Sequence, residues 1–205
     1  MISHSDIENL RGEISKRLSC DRYTHTLGVE RAAVFLAQMC LPEKECELRA
    51  AALLHDVTKE LSTEEHFQIL RNAKQEILDK DRDFIPILHS FTATAVISAD
   101  FPEFATDQIL SAVYNHTLGD SDMTVFDEII FLADFIEDTR KYAASVSARE
   151  YVFQNMHLGN TQENIKILHQ ACLMEIDSTI SHLTDKKRKV HPKTLKAKAG
   201  LIAKI

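Results

Sequence analysis

The stretch Leu53-Leu54-His55-Asp56 sets an imidazole and a carboxylate side by side at the end of an apolar run. Leu48, Ala51, Ala52 and His55 recur at i, i+3, i+4 and i+7, so one helical face carries the apolar positions and the histidine together. Asp56 lies about 100° further round a straight helix and would not share that histidine's target. If the helix ends here and Val57-Thr58-Lys59 bend away, both side chains reach one ion. An adjacent imidazole and carboxylate suit a hard or borderline divalent metal. Alone, the pair also reads as an ordinary helix-end cap, so the other inward-facing titratable residues decide.

His25, His89 and His116 each fall on the apolar stripe of another helical pattern, and Asp134 is embedded in Ile129-Ile130-Phe131-Leu132-Ala133-Asp134-Phe135-Ile136. A single core histidine is readily satisfied by a carbonyl, but four on four helices are hard to satisfy that way together. An unpaired carboxylate on a buried helix costs several kcal/mol. A metal cluster of His25, His55, Asp56, His89, His116 and Asp134 meets all these requirements at once. Six ligands with one bridging carboxylate are generous for one ion and natural for two. Four nitrogens and two carboxylates favour iron, manganese, cobalt or zinc over magnesium. The remaining histidines, His4, His66, His157, His169, His182 and His191, fall on polar stretches, in the basic tail or on C-terminal helices, and stay outside the cluster.

The elements that must hold these residues all read as helices. Asp6 to Leu18 is amphipathic, with Ser5 or Asp6 as its cap. Asp21 opens a helix on which His25, Val29, Ala32 and Leu36 share a stripe. Pro42 fits the first turn of a third helix ending near His55-Asp56. Ser62-Thr63-Glu64-Glu65 has the form of a capping box, opening a helix to about Lys74. Ala73 to Arg82 is polar and reads as surface. A helix after Pro86 carries His89, Ala93, Val96 and Ile97. Thr106 or Asp107 caps the next, with Ile109, Ala112, Val113 and His116 inward, and Val125 to Ile136 is the most apolar of all. Two helices between Ser147 and Lys187 break at Leu158-Gly159-Asn160, and His191-Pro192 starts a short basic one. The expectation is a single all-α domain over residues 1–205, with a core at about 18–145 and C-terminal helices at about 146–205.

Composition agrees with this. Hydrophobic residues make up 44% and charged residues 27% of 205, as in a globular protein with one sizeable core. Five glycines and four prolines are too few for a Rossmann-type phosphate loop or a strand-rich sandwich. The net charge of −7 argues against broad contact with nucleic acid, so a phosphate substrate must be drawn by local cations. No apolar run approaches the roughly 20 residues that span a bilayer, and no secretory signal opens the chain, so cytoplasm is the expected compartment and no membrane partner is expected. The four cysteines form no disulfide framework or Cys-x-x-Cys pair, and three of them read as small buried hydrophobes. The oligomeric state, monomer or homodimer, is left open.

The order His…His-Asp…His…His…Asp resembles the HD-domain metal-dependent phosphohydrolases. Arg22-Tyr23-Thr24-His25-Thr26-Leu27-Gly28-Val29, the run Leu53 to Leu61, His116-Thr117 with Gly119 and Met123, Ala133-Asp134-Phe135-Ile136-Glu137 with Arg140, and His191-Pro192-Lys193-Thr194-Leu195 are similar to its YqeK-type branch. The likeness covers about residues 18 to 197. It implies an HD-domain helical bundle, a two-metal centre that is commonly iron, and symmetrical cleavage of diadenosine tetraphosphate into two ADP. By the same likeness His25, His55, Asp56 and Asp134 hold one metal, while His89 and His116 hold the second with Asp56 bridging. The chain departs from the branch at Leu118 and Asp120, where a Thr and a basic residue are usual, and Glu137-Asp138-Thr139-Arg140 replaces Glu-Pro-Gly-Arg. These positions fall where substrate phosphates would approach.

The expected reaction is hydrolysis of a phosphoanhydride by a metal-activated hydroxide, with Asp56 and Lys59 catalytic. Lys59, Thr117 and Arg140 are the expected substrate contacts, the cations neutralising phosphate and the hydroxyl donating to it. Two other readings stand beside it: a phosphatase or phosphodiesterase of another nucleotide, whether mononucleotide, cyclic dinucleotide or alarmone, and a noncatalytic helical module.

Overall fold

A computed structural model describes residues 2–74 and 84–205. Ten α-helices are present among them, and no strand: α1 (His4–Arg17), α2 (Cys20–Cys40), α3 (Glu45–Leu54), α4 (Thr63–Asn72), α5 (Leu88–Asp100), α6 (Asp107–Asn115), α7 (Val125–Ile136), α8 (Ala143–Asn155), α9 (Thr161–Asp185) and α10 (Pro192–Ile202). The protein is all-α, as its periodicity requires. No helix among the described residues is long and apolar enough to cross a membrane.

Helix α3 is the pivot. Leu48 and all residues from Ala50 to Leu54 are buried, so its last turns are apolar all round, and it packs against α1, α2, α6 and α7. Three consecutive alanines let those neighbours come close. The buried Glu30 of α2 is gripped by Arg11 of α1 through two bonds of 2.6 and 2.8 Å, and by Arg49 of α3 at 3.1 Å. That triad fixes three helices against one another. A second apolar cluster, Leu70, Ile87, Leu88, Phe91 and Leu118, joins α4, α5 and the turn after α6.

The C-terminal helices are packed onto this frame. Helix α9 lies against α2, α7 and α8, and α10 lies on α9. Buried Glu128 of α7 receives His169 of α9 at 2.5 Å and Lys204 at 2.6 Å. Gly119 has φ +67°, and a Cβ there would sit 2.8 Å from the Cβ of Ala197, so glycine both permits the turn and admits α10.

Local expectations are corrected in three places. The cap of α1 is Ser3, in a reciprocal capping box with Asp6, because an earlier serine satisfies the same pattern. Of the cysteines only Cys40 and Cys172 are buried; Cys20 is exposed and Cys46 half-buried. His66, His169 and His191 are buried rather than on polar surface, each held by a partner from elsewhere or, for His191, by capping α10. The polar stretch expected at the surface lies mostly outside the described residues, and its first two, Ala73 and Lys74, are exposed.

Candidate metal centre

All six residues singled out by type and spacing come to one place. His25 comes from α2, His55 and Asp56 from the end of α3, His89 from the first turn of α5, His116 from the end of α6, and Asp134 from α7. Asp56, 2% exposed, is the hub. Its Oδ1 lies 3.4 Å from His89 Nε2 and 3.6 Å from His116 Nε2, and its Oδ2 lies 3.5 Å from His55 Nε2 and 3.8 Å from His25 Nε2. Asp134 Oδ1 lies 3.1 Å from His25 Nε2. Two groups offer ligand atoms within 4.8 Å of one another, His25 with His55 and Asp134, and His55 with Asp56 and His116.

The opposite nitrogen of every ring is already committed. His55, His89 and His116 donate from Nδ1 to the carbonyls of Ala52, Pro86 and Val113 at 2.7, 2.8 and 2.6 Å. Each acceptor lies three residues upstream, the direction in which a helical side chain leans. His25 Nδ1 faces Glu137 Oε1 at 3.1 Å. A carbonyl or carboxylate accepts only, so each Nδ1 carries a proton and Nε2 is the atom that each ring turns toward Asp56. His89 and His116 Nε2 stand 3.0 Å apart. Two lone pairs so close need a cation or a proton between them.

The residues fit a divalent metal on an observation independent of motif. His25 Nε2, His55 Nε2 and Asp56 Oδ1 are buried without a hydrogen-bond partner, a costly arrangement that coordination would resolve. Electrostatics keep Asp56, Asp134 and His89 competent as donors. At His25 burial is outweighed by Asp134 and Glu137, which raise it to about 9, so an ion must displace its proton. Burial alone would raise the Asp56 carboxyl, but His55, His116 and Lys59 outweigh it and hold it well below the usual carboxylate range. Burial likewise opposes ionisation of Asp134, which His25 and Arg140 hold well below that range. Burial, then Lys59, keeps His89 well below its ordinary value and neutral.

The three expected substrate contacts surround this hub. Lys59 Nζ lies 2.9 Å from His89 Nε2 and 3.8 Å from Asp56 Oδ1. Thr117 Oγ1 is within 3.1 and 3.2 Å of His89 and His116 Nε2. Arg140 Nη2 donates to Asp134 Oδ1 at 2.6 Å. Arg22 and Glu137 stand in the motifs that carry the family likeness, but residue type and order alone assign them no role. Arg22 donates to Asp56 Oδ2 at 2.8 Å; lying one turn before His25, on the same face, it could have been found by that spacing. Glu137 orients His25, and burial is overcome by His25 and Thr139 so that its carboxyl falls to about 2. Gly28 makes room for it, since a Cβ there would lie 2.4 Å from Glu137 Oε2. Arg149 of α8 fixes that segment by donating to the carbonyls of Ile136, Glu137 and Arg140. Thr58 donates to the His89 carbonyl at 2.9 Å and locks the turn after α3 onto α5.

Comparison with known proteins meets this geometry from another side. The symmetrical bis(5'-nucleosyl)-tetraphosphatase of Bacillus subtilis (strain 168) is 28% identical over 184 residues, covering 88% of this chain and 89% of that protein. The enzyme of the same name from Staphylococcus aureus (strain NCTC 8325 / PS 47) is 25% identical, covering 87% and 91%. A crystal structure from Clostridium acetobutylicum, described as a "predicted HD superfamily hydrolase involved in NAD metabolism", covers both chains fully with a TM-score of 0.81 and 27% identity. The HD domain matches residues 22–138, more than half of the chain. Those bounds enclose each of the six residues that meet at Asp56, and the chain belongs to the HD domain family.

Proposed function

We propose that the chain is a metal-dependent hydrolase of phosphoanhydride bonds that cleaves diadenosine tetraphosphate symmetrically into two ADP. The observation that carries this is four imidazole Nε2 atoms aimed at one buried carboxylate, ringed by Arg22, Lys59 and Arg140. The near full-length similarity to symmetrical tetraphosphatases supports the substrate. His25, His55, Asp56 and Asp134 would hold one ion, and His89 and His116 a second, with Asp56 shared. Two divalent transition-metal ions, iron by family likeness, supply an activated water and neutralise phosphate charge when bound. The compartment we assign is the cytoplasm.

The chain's own residues do the rest. Asp56, held ionised, fixes the four rings around a common point. Lys59 and Arg140 release their present partners to take phosphate oxygens, and Thr117 donates from the other side. The departure at Asp120 does not put a free negative charge before the substrate, because Lys193 lies 3.2 Å from its Oδ2. The test is hydrolysis of diadenosine tetraphosphate in ¹⁸O-water. ADP should be the sole product, labelled in half of its molecules. AMP with ATP would overturn symmetrical cleavage, and a faster rate on a mononucleotide or cyclic dinucleotide would overturn the substrate.

A further inference from the structure

The turn after α6 has two sides. On one, Thr117 Oγ1 touches His89 and His116. On the other, the same residue lines a cavity of about 660 Å³. Ile87 and Leu118 of the second apolar cluster line it, as does Phe84, which packs against that cluster. Leu183 of α9 lines it, and Arg188 and Lys189, exposed in the α9–α10 connection, line it too. The opposite flank of the centre is unlike it: His25, Arg22, Arg140 and Tyr142 line a polar cleft of about 510 Å³. The metal centre therefore lies between an apolar cavity and a charged cleft that share no lining residue.

We infer that the apolar cavity is a purine-base subsite, which seats the base of one nucleotide half while its phosphates pass Thr117 to the histidine–carboxylate centre. This rests on the reading of the chain as a dinucleoside polyphosphate hydrolase. The walls select for a base over a phosphate. Ile87, Leu118 and Leu183 offer an anion no donors and would strip it of water, whereas a flat heterocycle loses little by entering. The Phe84 ring, set edge-on to His191 at 4.7 Å, gives an aromatic surface beside it. Thr179 and Thr194 place hydroxyls beside Ile85, Pro86, Ile87, Leu118 and Leu183, the pattern of a small-ligand pocket with a few polar groups among apolar ones. Arg188 and Lys189 supply cations where the base gives way to the charged chain. A symmetrical substrate is then bound unsymmetrically, one base enclosed and the other half toward Arg22 and Arg140. Leu118 becomes a wall of the base site, which accounts for an apolar residue so near the phosphates.

The test uses the metal-loaded full chain and two probes, ADP and pyrophosphate. Photolabelling with 8-azido-ADP, followed by peptide mapping, should mark the segments Phe84–Ile87 or Thr179–His191. Label confined to Arg140–Tyr142 or Asp21–His25 overturns the subsite. By calorimetry, Thr179→Phe, which fills the cavity from a half-buried position, should weaken ADP about tenfold or more and leave pyrophosphate within about twofold. Leu183→Ala, a milder change at another half-buried wall, should act in the same direction. Unchanged ADP affinity in both variants, or equal loss of ADP and pyrophosphate, overturns it. If diadenosine tetraphosphate is hydrolysed with an unchanged KM in Thr179→Phe, the subsite falls and the functional reading stands. If the unsubstituted chain does not hydrolyse diadenosine tetraphosphate but ADP labels the cavity and loses affinity in Thr179→Phe, the functional reading falls and the subsite stands.

Discussion

Each histidine of the centre is held by its far nitrogen, and the four holds are not equal. Three are backbone carbonyls, which no substitution removes, while His25 depends on the side chain of Glu137. Glu137→Ala should therefore lower metal affinity roughly 10- to 100-fold, the usual cost of losing a partner behind a ligand, read as metal retained against a graded chelator. Retention equal to wild type would mean that Asp134 alone orients the ring. His55→Ala and Asp56→Ala should abolish hydrolysis, Asp56 more completely because every Nε2 points at it. Lys59→Met should keep the metal content and slow hydrolysis by roughly 10²-fold, as for loss of one contact to developing charge. Buried His66 is the contrast: its Nδ1 pairs with Thr92 Oγ1 at 2.8 Å, away from the hub. His66→Ala should leave activity within a few-fold while costing about 1–3 kcal/mol of stability, and a loss of activity like that of His55→Ala would redraw the centre.

Helices were legible because their signal is local. The capping box at Ser62-Glu65, Pro42 before α3 and the break at Gly159 stand where their chemistry puts them. Apolar periodicity carried His25, His55, His89 and His116 inward with their stripes, so the cluster around Asp56 could be read from one chain. What could not be read depends on partners far off in sequence. Nothing local says that His169 meets Glu128, or that Glu137 meets His25 across 112 positions. Glu175 of α9 shows the cost of such burial. It is 8% exposed, its Oε2 has no hydrogen-bond partner, and burial, then nearby Asp134, raises its carboxyl well above the ordinary value. A raised carboxyl holds its proton more tightly folded than unfolded. Its contribution is favourable below the unfolded value of about 4.3 and is lost as pH rises from there. Glu175→Gln should thus raise the melting temperature at pH 8 and change it little at pH 4. A gain independent of pH would locate the effect in packing instead.

At the scale of the whole molecule, the centre is where most of the helices of residues 20–136 end or cross. Its six residues come from α2, α3, α5, α6 and α7, and three of them, His55, Asp56 and His116, sit just past a helix C-terminus. The α3 and α6 ends and the start of α5 thus point toward one hub in which His25 Nε2, His55 Nε2 and Asp56 Oδ1 lack partners. An ion there would bind the folded chain and not the unfolded one, adding RT ln(1 + [M]/Kd), or about 4 kcal/mol at a thousandfold excess over Kd. In a chain of this size each kcal/mol moves the midpoint by roughly 2–4 °C. Chelator-treated protein should therefore melt several degrees below protein reloaded with Fe²⁺ or Mn²⁺, and the gap should widen with free metal. It should narrow as pH falls below about 9, because burial of His25 is outweighed by Asp134 and Glu137, which raise it to about 9 and leave a proton that a metal must displace. Asp56→Asn separates this from nonspecific effects of the chelator, since it keeps the shape of the hub while removing its charge, and its melting should no longer respond to metal. Identical melting of treated and reloaded wild-type protein would mean that the cage closes on its own protons and ion pairs, with Lys59 and Arg140 as its permanent counter-charges.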